Sequence, residues 1–268
     1  MDAIGSFEDG INVTRLSKEL KMGKSTVHRL LETLLEHDVV RLDPNTSRYS
    51  LDSKIVRWND MLLRQNLLVR CGLPILKELA GTCHGICNLA ILKGVHVLFV
   101  AQYEAETRGG LRLTKGVGAR ELAHSTSLGK ALLATLTEAE LDDLYPNGTL
   151  ERVTENTITS RQGLKEHLQQ VRAEGVAHDF EENTLGVTCL GTVVRDCLGR
   201  PAGALSISSP VTHLKSVNLL TLKQHLLSAA QQLSMELGYE PRPDSPLDDS
   251  AGDELATNVL DLMAGKLS

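Results

Sequence analysis

Apolar residues recur at helical spacing on both sides of a short break in INVTRLSKELKMGKSTVHRLLETLLEHDVV, residues 11–40, which predicts two helices joined by a tight turn. Asn12 is placed to cap the first helix, whose buried face is Val13, Leu16 and Leu20. The break falls at Lys21-Met22-Gly23. The second helix starts near Lys24-Ser25 with Val27, Leu30, Leu31, Leu34 and Leu35 as its apolar stripe. Lys24, Ser25, Thr26, His28, Arg29 and Thr33 then face outward, short, polar and basic toward the N-terminal end. A helix that enters the major groove N-terminus first needs such a face, although a plain helical hairpin with a solvated surface would carry it too. The next residues favour the first reading. VVRLDPNTSRYSL predicts two short strands around Asp43-Pro44-Asn45-Thr46, a wing directly after the recognition helix. Arg41 and Arg48 flank its tip, where they can neutralise phosphates of double-stranded DNA.

Residues 52–66 carry an apolar stripe, Ile55, Trp58, Met61 and Leu62, on a polar helix that belongs to neither neighbour, a linker helix whose stripe is core or dimer seam. From about residue 67 the pattern alternates between periods. A helix to about 82 precedes strands at 86–92 and 95–103, joined at Lys93-Gly94, and a strand near 111–114. Helices follow at 127–136, from Glu138, and at 160–174, where Gly175 is the C-cap. Strands at 187–194 and 202–208 surround a turn, and a last helix runs over 217–238. Antiparallel strands with packed helices make an α+β domain over 67–240, after a DNA-binding module over 1–51.

The chain has 268 residues, 41% hydrophobic, 23% charged and 3% aromatic, which excludes a disordered chain and makes base stacking on single strands a poor fit. No apolar run approaches the roughly 18–20 residues of a membrane span, and MDAIGSFEDG is not a basic-then-apolar leader, so the reading is a cytoplasmic protein without a membrane partner. The net charge of −6 is unevenly placed. Residues 14–57 hold nine basic against six acidic side chains, whereas 241–268 hold two against six, an acidic tail read as flexible.

Three motifs carry a family resemblance: LSKELKMGKSTVHRLLETL, HSTSLGKALLA at 124–134, and GVAHDFEENTLGVTCLGTVVRDCLGRPAGALSISSP at 175–210. Their order and spacing resemble the IclR family of bacterial transcriptional regulators. The resemblance implies a winged helix-turn-helix joined to a GAF-like effector-binding domain, a homodimer or tetramer, and a small-molecule effector. It implies an effector pocket lined by Ser127, Leu128 and Gly129 before Lys130, by Asp179, by Val187 and Cys189, and by Ser206 and Ser208. On their own chemistry, hydroxyls, a thiol and the free N–H groups of a helix start at Ser127 suit a small carboxylate, and Asp179 would select a hydroxy or keto acid. Ser206 and Ser208 would share one face in any case, since the strand period is two. Against the family pattern, Met1 falls inside the first helix and shortens it, Lys21 stands at a turn position often held by Gly, Leu122 replaces a proline, and 241–268 extends past the usual end.

The five cysteines are odd in number and thinly spread, as reduced thiols are. Cys83, His84 and Cys87 include potential zinc ligands, but no second pair completes a four-ligand set, so neither metal nor cofactor is expected. Cys189 with His124 or His178 as base would make a thiol-dependent enzyme, and a shortened first helix would leave a sensor without DNA binding. No G-x-S-x-G, H-E-x-x-H or P-loop supports an enzyme.

Overall fold

The computed structural model describes residues 1–104, 116–214 and 218–240, and the expected strand at 111–114 and the 241–268 tail lie outside them. The chain divides into two compact units at Asn66 and Leu67. The first comprises α1 (Asp2–Gly5), α2 (Val13–Glu19), α3 (Lys24–Glu36), a hairpin of β1 (Val40–Asp43) and β2 (Arg48–Leu51), and α4 (Lys54–Gln65). The Asn12 side chain accepts the Arg15 N–H at 2.9 Å and caps α2. Lys21 sits at φ 51, a left-handed turn that strains a side chain where glycine would be at ease. Ile4, Ile11, Leu16, Val27, Leu31, Val40 and Tyr49 form the core, and a backbone bridge between Ile11 and Tyr49 ties the segment before α2 to the wing. Two residues assigned to the buried face are out of it: Leu20 is 41% and Leu30 50% exposed. Leu20 is the C-cap residue just past the end of α2, and Leu30 lies at the edge of the α3 stripe, where a helix packed on one side leaves the flank open.

The second unit is built on a six-stranded antiparallel sheet. Its elements are α5 (Leu67–Cys83), β3 (Ile86–Lys93), β4 (His96–Glu104), β5 (Arg120–Leu122), a 3-10 turn (Ala123–Ser125), α6 (Ser127–Leu133), α7 (Glu138–Leu144), α8 (Arg161–Glu174), β6 (Ala177–Phe180), β7 (Val187–Arg195), β8 (Pro201–Pro210), α9 (Val211–Leu214) and α10 (Leu219–Glu236). The strand order is β5-β4-β3-β8-β7-β6. Gly175 ends α8 at φ 70, as expected of a C-cap. Strands β5 and β6 escape the sequence reading because three or four residues show no period, and neither belongs to a hairpin with a turn as tight as the one that marks the equally short β1 and β2.

Residues paired across antiparallel strands point to the same face. Leu89, Leu205 and Ile207 face one way, where α5 and α10 pack. Ala90 and Ala204 face the other, into a core with Phe99, Leu128, Leu132, Leu164 and Leu168. Every residue of α6 is buried. Two glycines permit this: a Cβ on Gly129 would lie 2.1 Å from the Ala123 carbonyl oxygen, and one on Gly191 2.6 Å from the Ser127 carbonyl carbon.

Candidate functional site

Strand register sets two rows of side chains across the α6 face of the sheet. One runs Gln102, Asn88, Ser206, Gly191, Ala177; the next has Ile86, Ser208, Cys189 and Asp179. The polar members are linked. Gln102 Nε2 donates to Asn88 Oδ1 at 2.8 Å, and Asn88 Nδ2 donates to Ser206 Oγ at 3.3 Å and Ser208 Oγ at 3.2 Å. The Cys189 thiol donates to Ser208 Oγ at 3.2 Å. Asn88, Ser206, Ser208 and Asp179 are all buried. Thus four of the expected effector residues, Asp179, Cys189, Ser206 and Ser208, lie side by side, and Val187 is buried two residues before Cys189 on the same strand. Asn88 and Gln102 belong to this stripe and were not among them. The only hint of Asn88 is one amide inside the otherwise apolar run ICNLAIL.

The residues expected at the helix start are placed differently. The cap is Thr126, whose hydroxyl accepts the Gly129 N–H at 3.0 Å, so Ser127 is the first helical residue and the Gly129 N–H is already taken. The Ser127–Leu128 peptide lies against Gly191 of β7. The Leu128 side chain is part of the apolar core, and Gly129 is packed on Ala123. Lys130, next in the motif, is fully buried and its Nζ is ion-paired with Glu182.

Asp179 Oδ1 accepts the Glu182 N–H at 2.8 Å and the Asn183 N–H at 3.4 Å. Burial pushes the Asp179 carboxyl up to about 7, against the pull of the Lys130 ammonium. The folded state therefore holds a proton that the unfolded chain, with its ordinary value of 3.8, gives up. The stability this contributes is complete below pH 3.8 and is lost as pH rises through about 7. Asp179→Asn should flatten the fall in stability between pH 4 and 7, whose limit for one proton is about 1.4 kcal/mol per pH unit, and should raise stability at pH 8. Urea unfolding of both proteins at pH 5 and pH 8 measures it; equal differences would show that Asp179 ionises as freely folded as unfolded.

The enzyme-like arrangement does not form. His178 pairs across the strands with Leu190, on the sheet face opposite Cys189, and contacts Glu174 at 3.5 Å. His124 Nε2 is hydrogen-bonded to the Glu151 carbonyl at 2.8 Å. Burial pushes the Cys189 thiol well above its ordinary range, with Asp179 adding to it, so no thiolate is at hand. Cys83 is likewise pushed up to about 11 by burial. Among the described residues no three His, Cys, Asp or Glu side chains gather as metal ligands, and no helix is long and apolar enough to cross a membrane.

In the first unit, Lys24, Ser25, Thr26, His28 and Arg29 are all exposed on α3. His28 Nδ1 lies 3.2 Å from Glu32 Oε1, one turn on. On the wing, Asp43 accepts the Asn45 N–H at 2.8 Å and the Thr46 hydroxyl at 2.9 Å, which folds the tip between Asp43 and Arg48. Arg41 Nε donates to Ser50 Oγ at 3.0 Å, and Arg48 reaches the Asp9 carbonyl at 3.4 Å. Both guanidinium groups stay on the exposed surface of the hairpin. On α4, Val56 is 70%, Trp58 48% and Met61 49% exposed, while Ile55 is partly buried.

Residues 61–235 match the family described as bacterial transcriptional regulator IclR C-terminal, and residues 1–44 match the IclR helix-turn-helix domain. The HTH-type transcriptional regulator BhcR of Paracoccus denitrificans is 34% identical over 240 residues, covering 90% of this chain and 85% of that one. The regulator XynR of Escherichia coli is 31% identical, covering 89% and 94%. Among solved structures, the Thermotoga maritima IclR superposes with a TM-score of 0.75 at 25% identity, over 89% of this chain and 95% of that one. An IclR homologue from Microbacterium hydrocarbonoxydans, complexed with 4-hydroxybenzoate, shares the fold with a TM-score of 0.73 at 19% identity, over 84% and 90%.

Proposed function

From the premise that this chain belongs to the IclR family of bacterial transcriptional regulators, we propose that it is a cytoplasmic repressor or activator whose DNA affinity answers to a small organic acid. The observation that carries the effector class is the polar stripe of buried Asn88, Ser206, Ser208 and Asp179 with half-buried Cys189, where a packed core would want apolar side chains. Asp179, protonated below about pH 7, offers a hydroxy or keto acid an O–H to donate, and above it an acceptor for the ligand's hydroxyl. The 4-hydroxybenzoate held by the Microbacterium relative is an acid of that class. Double-stranded DNA meets Lys24, Ser25, Thr26, His28 and Arg29 in the major groove and Arg41 and Arg48 on its backbone. The exposed Val56, Trp58 and Met61 join two chains, so that two recognition helices meet two half-sites; light scattering giving the mass of one chain at micromolar concentration would exclude this.

A thermal-shift screen of small carboxylates on the full chain, followed by DNA-binding anisotropy, tests the reading. Ser206→Ala should weaken the best acid by about 0.5–1.5 kcal/mol, or up to about 3 if the bond is to a charged group, and leave DNA affinity without ligand unchanged. Arg29→Ala should cost about 1–3 kcal/mol on the specific site, whereas Arg48→Ala should weaken all DNA alike and lower the salt slope by about one. Equal acid binding by Ser206→Ala and its parent would remove the site from this face, and equal DNA binding by Arg29→Ala would remove that arginine from the interface.

A further inference from the structure

Asp179 has two ways to meet a hydroxy or keto acid, as a carboxylate that accepts the ligand's hydroxyl or as a carboxylic acid that donates an O–H. The charges around it decide between them. Asp179 is 3% exposed, and its Oδ1 accepts the N–H groups of Glu182 and Asn183. It faces Cys189 of β7, which in turn faces Ser208 of β8. A carboxylate held at Ser208 therefore lies within two strand spacings of Asp179, roughly 10 Å. The cation that Asp179 feels is Lys130 of α6, and that ammonium is ion-paired with Glu182, whose own charge pushes Asp179 the other way. Lys130 is thus already committed. In such a medium of low dielectric, two carboxylates in one site raise each other's affinity for a proton. Burial already holds the Asp179 carboxyl up to about 7, so a proton from solvent relieves the repulsion readily. That proton also has a use: Oδ1 stays on the two backbone N–H groups while the protonated oxygen donates to the ligand. We infer that the acid and one proton bind together, the proton on Asp179, so that this domain responds to the acid and to pH jointly. The inference rests on the reading of this face as the effector site. By linkage the acid raises the proton affinity of Asp179, and the proton raises the affinity for the acid by the same factor. Affinity for the acid is then full while Asp179 is protonated and falls as pH rises through about 7.

Other titratable groups surround Asp179. Cys189 faces it from β7, Lys130 from α6 and Glu182 from the loop after β6, where the Glu181 carboxylate accepts the Gly186 N–H. Glu121 of β5 accepts from Asn183 Nδ2. His178 contacts Glu174 from the opposite face, and His167 of α8 lies within reach of Lys130 and His178. Burial pushes the Cys189 thiol well above its ordinary range and the His167 imidazole down to about 3, so neither changes charge between pH 6 and pH 8.

The test is calorimetric titration of glycolate, lactate and 4-hydroxybenzoate into the full chain at pH 6 and pH 8, in buffers of different ionisation enthalpy, which reads the protons taken up per acid bound. For an acid that binds, the parent should take up about one proton at pH 8 and about a tenth of one at pH 6, and its Kd should be about tenfold weaker at pH 8. Asp179→Asn copies the protonated residue without a charge, its oxygen on the same backbone N–H groups and its Nδ2 in place of the O–H. It should take up no proton, bind the acid equally at both pH values, and at pH 8 bind it about tenfold more tightly than the parent. Should that variant fail to fold, infrared difference spectra of the parent at pH 8 with isotope-labelled acid read the same event: a protein carboxylate band is lost and a protonated-carboxyl band gained. Proton uptake that persists in Asp179→Asn belongs to a neighbouring group and overturns the inference. So does weaker binding by Asp179→Asn at both pH values, as expected of a residue that only supports the sheet. A parent that binds acid at pH 8 without proton uptake or the infrared change uses Asp179 as an acceptor, which overturns the inference and leaves the site in place. A parent that binds none of the three acids at either pH overturns the acid-site reading, and the inference with it.

Discussion

Lys130→Met should destabilise the C-terminal domain by about 3–5 kcal/mol, although it adds apolar surface at a fully buried position. The Lys130 ammonium faces the Glu182 carboxylate in a direct ion pair, and Asp179 feels its charge as well. Removing the cation leaves two carboxyl groups confined together in a medium of low dielectric. Protonation relieves that repulsion, so the loss should be larger at pH 8 than at pH 5. Lys130→Met combined with Glu182→Leu should recover most of it, because an apolar pair of similar volume needs no charge balance. Urea unfolding at the two pH values reads all four proteins of the cycle. A cost below about 1 kcal/mol for the single substitution would mean that water reaches the pair and screens it.

Gly129→Ala should cost about 3 kcal/mol or more, and Gly191→Ala should displace the start of α6 from β7. At Gly129 the added carbon meets the Ala123 oxygen, Cα and carbonyl carbon at 2.1, 2.3 and 2.5 Å. At Gly191 it meets the Ser127 carbonyl carbon and oxygen and the Leu128 nitrogen at 2.6, 2.7 and 2.9 Å. Those contacts are backbone, which cannot move out of the way as a side-chain end can. Under the effector site proposed above, Gly191→Ala should therefore abolish acid binding even where the domain still folds, since α6 packs on the strands that hold Ser206 and Asp179. Gly81→Ala is the control of opposite sign: it lies within α5 with no neighbour near the new carbon, and should gain about 0.5–1 kcal/mol from helix propensity. Similar melting temperatures for Gly129→Ala and Gly81→Ala would contradict the packing described for α6.

The sequence by itself determined whatever depends on neighbours three or four residues apart. The Asn12 cap, the break at Lys21–Gly23, the wing turn at Asp43 and the Gly175 C-cap are all local, and the structure has them where the residues point. Local signals also misplaced what depends on a partner far along the chain. The stripe of α3 predicted Leu30 as buried, but burial is set by what packs against the helix, and half of Leu30 stays open. The helix start at Ser127 reads as offering free N–H groups, yet the Thr126 side chain caps it and takes the Gly129 N–H. Nothing in the run SLGKALL names a partner for Lys130; only the loop after β6, which carries Glu182, makes it a buried, paired cation. Asn88 and Ser206 are separated by 118 positions, and no periodicity along either strand relates them. Their meeting follows from β3 pairing with β8 along one edge, while its sequence neighbour β4 takes the other. The register is set by burying Leu89 and Leu205 under α5 and α10, and a slip of one residue would turn the whole polar stripe to the other face. The elements are thus written locally, while the polarity of the site is a property of the sheet.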